Sequence, residues 1–132
     1  MKQDINYPEV QDIAIAIIQE EEKDTFWSVY LINLKDVVLK NVLIASKGYG
    51  IHKGEDVKTS TLRHYFPEVQ PKSFVKIEPI DTLLFKLSNE YWLSFYVEKE
   101  IYDKKYVFLA ESVIQDHLIE IPLVGKRGVM IR

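Results

Sequence analysis

Thr25-Phe26-Trp27-Ser28-Val29-Tyr30-Leu31-Ile32-Asn33 and Leu39-Lys40-Asn41-Val42-Leu43-Ile44-Ala45-Ser46 decide the fold class of this chain. Both stretches are dense in β-branched and aromatic side chains, which suit a pleated, half-buried surface. The short polar turn over 34–36 makes the pair read as one packed β-hairpin. In the first stretch Trp27, Val29 and Leu31 share one face and are assigned to the core, which puts Tyr30 on the other.

Upstream, residues 12–19 read as a strand whose two faces, Ile13/Ile15/Ile17 and Ala14/Ala16/Ile18, are both apolar. Such a strand is covered on both sides or meets a partner on one. Residues 5–8 read as a short lead-in and 20–24 as a charged turn. Downstream, 47–56 reads as a polar glycine-bearing loop and 57–64 as a strand. After a Pro-bounded connection comes a strand over 72–78, with Val75 and Ile77 inward and Lys76 and Glu78 outward. Residues 83–87 read as a short strand or a helical turn. Tyr91, Leu93, Phe95 and Val97 alternate with Trp92, Ser94, Tyr96 and Glu98, a strong strand that turns over 99–103 and returns over 104–110 as a second hairpin. Ser112 caps an expected short helix near 112–118, and 121–132 reads as an extended strand or arm. Seven or eight short strands with frequent turns predict an all-β fold, an antiparallel β-sandwich spanning 1–132 as one domain.

At 132 residues and 47% hydrophobic content the chain can fill one core without a staple. It has no cysteine, which excludes disulfides, thiolate metal sites and cysteine nucleophiles. The first eight residues lack the apolar core of a signal peptide, and no run approaches the ~20 apolar residues of a membrane helix, so a cytoplasmic location is expected. The net charge of −3 argues against broad, non-specific nucleic-acid binding but leaves room for a local basic patch.

The side chains that could carry chemistry are few. His52, His64 and His117 show no metal-ligand spacing, so no metal or cofactor is expected. Gly48-Tyr49-Gly50-Ile51-His52-Lys53-Gly54 departs from a dinucleotide fingerprint at position 53 and precedes a strand rather than a helix. Ser60 and His64 lie about 13 Å apart along a strand, too far for proton transfer. An enzymatic reading rests on His52, His64 and Arg63 converging in the fold. An RNA-binding reading rests on Arg63, Lys104, Lys105, Lys126 and Arg127, with Tyr102 and Tyr106 interleaved. Aromatic residues make up 12% of the chain, and Tyr30, Trp92 and Tyr96 fall on outer faces, where together they would form a protein-binding patch or a homodimer face.

Two resemblances add to this reading. Gln70-Pro71-Lys72-Ser73-Phe74-Val75-Lys76-Ile77 resembles the element of immunoglobulin-like domains in which a proline and a small polar residue precede an alternating strand. The stretches 27–33, 42–49 and 58–64, with Ile121-Pro122-Leu123 and Lys126-Arg127-Gly128-Val129, resemble a group of small uncharacterised bacterial proteins often labelled phenylalanyl-tRNA synthetase alpha subunit. That label implies a tRNA-related role. The Phe-Arg-x-Glu tetrapeptide of class II synthetases is absent, and no arginine follows Gly48 and Gly50 until Arg63, so no synthetase residue is carried over. The expectation is therefore a non-catalytic sandwich acting through protein contacts, with Tyr30, Trp92, Tyr96 and the 47–56 loop as its contact residues. An RNA- or tRNA-binding accessory module is the alternative.

Overall fold

The computed structural model describes residues 8–21 and 26–132. The expected lead-in over 5–7, the turn residues 22–24 and Thr25 lie outside the described residues.

The strands are β1 (Ile13–Gln19), β2 (Trp27–Asn33), β3 (Leu39–His52), β4 (Glu55–Lys58), β5 (Leu62–Val69), β6 (Ser73–Ile80), β7 (Ser88–Val97), β8 (Glu100–Phe108), β9 (Ile119–Glu120) and β10 (Arg127–Ile131). They form two five-stranded sheets in which every pairing is antiparallel. The first sheet runs β6-β2-β1-β10-β9. The second runs β4-β3-β7-β8, with β5 also paired to β3. The expected all-β sandwich is therefore the fold. The short helix expected near 112–118 is a single 3-10 turn, Gln115–His117, and 83–87 is largely the 3-10 turn Thr82–Lys86. Among the described residues no helix is long and apolar enough to cross a membrane.

The core lies between the sheets. Ile13, Ile15 and Ile17 of β1 and Trp27, Val29 and Leu31 of β2 face Val42 and Ile44 of β3 and Tyr91, Leu93 and Phe95 of β7. The period-2 reading of β2 and β7 holds at every one of these positions. The other face of β1 is covered too: Ala14, Ala16 and Ile18 pack with Tyr30, Ile32 and Ile121, and with Leu34, Val124 and Met130 beside them. The C-terminal segment thus supplies the cover that a strand apolar on both faces requires.

Three connections differ from expectation. β2 and β3 are not a hairpin; β2 pairs with β1 and β6, whereas β3 pairs with β4, β5 and β7. The link between them crosses from sheet to sheet around a buried Asn33, whose Nδ2 donates to Val37 O (2.9 Å) and Gln70 O (3.0 Å) while Oδ1 accepts from Lys35 N (3.0 Å). This side chain satisfies the backbone of a corner, and a corner and a hairpin turn use the same polar composition.

The 47–56 stretch is not a loop. β3 continues to His52 and turns at Lys53 (φ 53°) and Gly54 (φ 78°) into β4, a two-residue turn with left-handed backbone at both positions. The strand expected over 57–64 is broken at 59–61, and the supposed connection after Tyr65 is most of β5. The second hairpin forms as expected, but its turn is only Glu98 (φ 55°) and Lys99, so the return strand begins at Glu100.

Two β-bulges set which side chains face inward. Asn41 (φ 49°) lies in a register shift against β7, and the extra residue lets Leu39, Val42 and Ile44 all reach the core. In β6 the register shifts between Val29 and Tyr30 of β2, so that Ile77 and Glu78 both turn inward. Glu78, expected outward, therefore points between the sheets.

Glu20 ends the β1–β2 hairpin as a buried hub. Its side chain is only 4% exposed and takes Lys76 Nζ at 2.7 Å, Lys126 Nζ at 2.8 Å and the Tyr30 hydroxyl at 2.9 Å. Burial opposes the charge most strongly, but the donors Lys126, Lys76 and Tyr30 together outweigh it and hold the carboxyl at about 2. A depressed folded-state value stabilises the fold above the ordinary value of 4.5, and that contribution fades as pH falls toward 2. The expected result is that the stability gap between wild type and Glu20→Gln, measured by urea unfolding, is constant above pH 5 and shrinks steadily on acidification.

Candidate functional site

The outer faces of the two sheets differ. Tyr30 lies on the outer face of the first sheet as expected, but it is 4% exposed beneath the C-terminal segment. Its hydroxyl is pushed up to about 12 by burial and then by Glu20. Trp92 (47% exposed) and Tyr96 (37%) lie on the outer face of the second sheet. The expected patch joining all three does not form, because the sandwich places Tyr30 on its opposite side.

What the second sheet presents instead is two cross-strand rows. One runs Arg63–Ala45–Trp92–Lys105 and the next Tyr65–Leu43–Ser94–Asp103, across β5, β3, β7 and β8. Leu43 and Tyr65 are each about half exposed. Asp103 Oδ1 accepts from Trp92 Nε1 at 2.6 Å, and Lys105 Nζ stands 5.6 Å from the centre of a Trp92 ring, so the indole is held from both neighbours. Ala45 is small between Arg63 and Trp92, and a hollow of about 230 Å³ opens above it. Leu43 and Tyr65 carry no motif, but they stand at the same strand parity as Ala45 and Arg63, which is the signal that locates them.

Two of the sheet edges are poorer contact surfaces. Pro67 sits in edge strand β5 and Pro79 in edge strand β6, and neither can donate to an incoming strand.

The basic residues of the RNA reading are not gathered. Arg63 and Lys105 lie on the outer face of the second sheet, and Lys104 sits over the Tyr106 ring at 4.9 Å. Lys126 is engaged by Glu20, and Arg127 donates to Leu118 O at 3.3 Å at the start of β10 in the other sheet.

Nor do the three residues of the enzymatic reading converge. Arg63 and His64 are neighbours on a strand and point to opposite faces. His52 lies eight positions along β3 from Ile44, the residue opposite His64, or roughly 26 Å. His64 instead faces the interior near the end of the sandwich. Its Nε2 lies 2.6 Å from Glu78 Oε1, and Ser46 Oγ donates to the same oxygen at 2.8 Å. This order puts the carboxylate between serine and histidine, so the histidine is not placed to take the serine proton. The pair links β5 of one sheet to β6 of the other. Among the described residues no group of three or more acidic or histidine side chains is placed to hold a metal ion.

No protein-family model matches the chain, and no curated protein is significantly similar to it.

Proposed function

We propose that this protein is a non-catalytic β-sandwich that works through protein contacts, and that the outer face of its second sheet packs against the same face of a second copy. The observation that carries this reading is the self-complementarity of the two rows. A two-fold axis lying in the interface, perpendicular to the strands and between the rows, exchanges one row for the other. Lys105 then stands over Asp103, Arg63 over the ring of Tyr65, and Trp92 over Ser94. Leu43 enters the hollow above Ala45. Along β8 the same operation sets Val107 against Ile101. Every charge on these rows meets an opposite charge or an aromatic face, and the protruding leucine meets the hollow beside Trp92. Strand directions in the two copies stay aligned, the common geometry of sheets packed face to face.

Light scattering on the purified protein, at low and high salt and with absorbance at 260 and 280 nm, tests this reading. The expected result is a nucleic-acid-free species of twice the 15.5 kDa chain mass. A monomer carrying salt-releasable nucleic acid would replace it with the RNA-binding alternative.

A further inference from the structure

A second feature, independent of the outer face, lies at the mouth between the sheets. A cavity of about 180 Å³ opens there between β3, the 59–61 segment, β6 and β7. Glu78, Ser46, Tyr91 and Asn89 form one polar wall, Lys47, Thr59 and Ser60 line the rim, and the apolar wall is Leu62, Ile80 and Leu84. Glu78 reaches this wall only because of the β6 bulge, and bulges that re-aim one side chain are a recurrent device beside binding sites.

The polar wall is rich in unused acceptors. Glu78 Oε1 is occupied by Ser46 and His64, but Oε2 has no hydrogen-bond partner among the described residues. Nor has the hydroxyl of Tyr91, a residue only 1% exposed. Asn89 spends its Nδ2 on Leu84 O and Leu87 O, which leaves its Oδ1 as an acceptor beside Gly48. Against a carboxylate oxygen His64 Nε2 can act only as donor, and it engages Oε1 alone, which leaves Oε2 to a ligand. The space is kept by Gly48: a Cβ there would lie 3.2 Å from Asn89 Oδ1 and 3.3 Å from Thr59 Cγ2.

We infer that this mouth binds a short primary alkylammonium ion, with its nitrogen donating to Glu78 Oε2, Tyr91 Oη and Asn89 Oδ1 and its alkyl part against Leu62, Ile80 and Leu84. An ammonium group has three donors and no acceptor, which matches three acceptors around one apolar pocket. An anion of the same size would meet the Glu78 carboxylate, and Lys47, the cation of the lining, has its ammonium 3.8 Å from Glu90 Oε2.

The test is an NMR titration of the intact ¹⁵N-labelled protein with propylammonium, with propionate and propanol as matched controls. Nα-acetyl-lysine N-methylamide, in a fourth titration, presents the same group on a peptide side chain. Saturable shifts confined to the amides of Ser46, Gly48, Thr59 and Asn89 are expected for the ammonium probes alone. The better of the two ammonium probes identifies the source as a free amine or a lysine side chain. Glu78→Gln is expected to weaken binding at least tenfold. Gly48→Ala fills the space beside Asn89 Oδ1 while leaving Glu78 and Tyr91 in place, and it should abolish the shifts while the spectrum stays dispersed. Equal response to propionate or propanol, no saturable response to either ammonium probe, or undiminished binding by Gly48→Ala would overturn the assignment.

Discussion

Gly128→Ala is expected to lower the unfolding free energy by about 3 kcal/mol, the upper end of what overpacking costs, with an unchanged denaturant slope. Gly128 sits in β10 opposite Ile18 of β1 and Ile119 of β9, so it is paired on both sides. A Cβ there would collide with the Ile17 carbonyl oxygen and the Ile18 Cα. Both are backbone atoms of the central strand, fixed by the pairing of β1 with β2, so neither can move aside as a side-chain tip would. The relief available is separation of β10 from β1, which also loosens Met130 from the outer cluster. Gly50→Ala is the contrast, because its closest obstacle is the Leu87 Cδ2 methyl at 3.2 Å. Its expected cost, in the same urea titration, is under about 1 kcal/mol.

Ala45→Glu is expected to weaken the dimer at least about 100-fold, or ~2.8 kcal/mol, while leaving the monomer's urea midpoint nearly unchanged. The glutamate would occupy the hollow between Arg63 and Trp92 that the second copy's Leu43 fills in the proposed packing. Within its own chain the new carboxylate stands beside the Arg63 guanidinium, so the isolated subunit gains a partner rather than an orphan charge. The dimer, in contrast, loses its central apolar contact and buries an additional charge. Light scattering as a function of concentration reads the change directly.

Strand identity was legible wherever alternation was strong. Trp27, Val29 and Leu31 face the core as their spacing requires, and so do Tyr91, Leu93 and Phe95. What the spacing could not carry was anything set by cross-strand register. Glu78 alternates with Ile77 in the sequence, yet both turn inward because β6 bulges against β2. Tyr30 and Trp92 both sit at outer-face parity, but Ile121, Val124 and Met130 from more than ninety residues away pack with the one and not the other. Turn position was obscured where the chain adopts left-handed backbone without glycine or asparagine, as at Glu98. The β2–β3 connection is ambiguous in sequence for a different reason: Asn33 can close a hairpin or hold a corner, and only the carbonyls of Val37 and Gln70 decide between them.

A charge exchange across the row-to-row packing of the second sheet probes the proposed dimer at its own contacts. Lys105→Asp would set carboxylates against Asp103 at both symmetry-related β8 contacts, and Asp103→Lys would set ammonium groups against Lys105. Each variant alone is expected to be monomeric by light scattering. Mixed in equal amounts, they restore an opposite pair at both β8 contacts and are expected to form a heterodimer of the wild-type mass. A wild-type monomer, single variants that remain dimeric, or a mixture that stays monomeric would contradict the proposed interface.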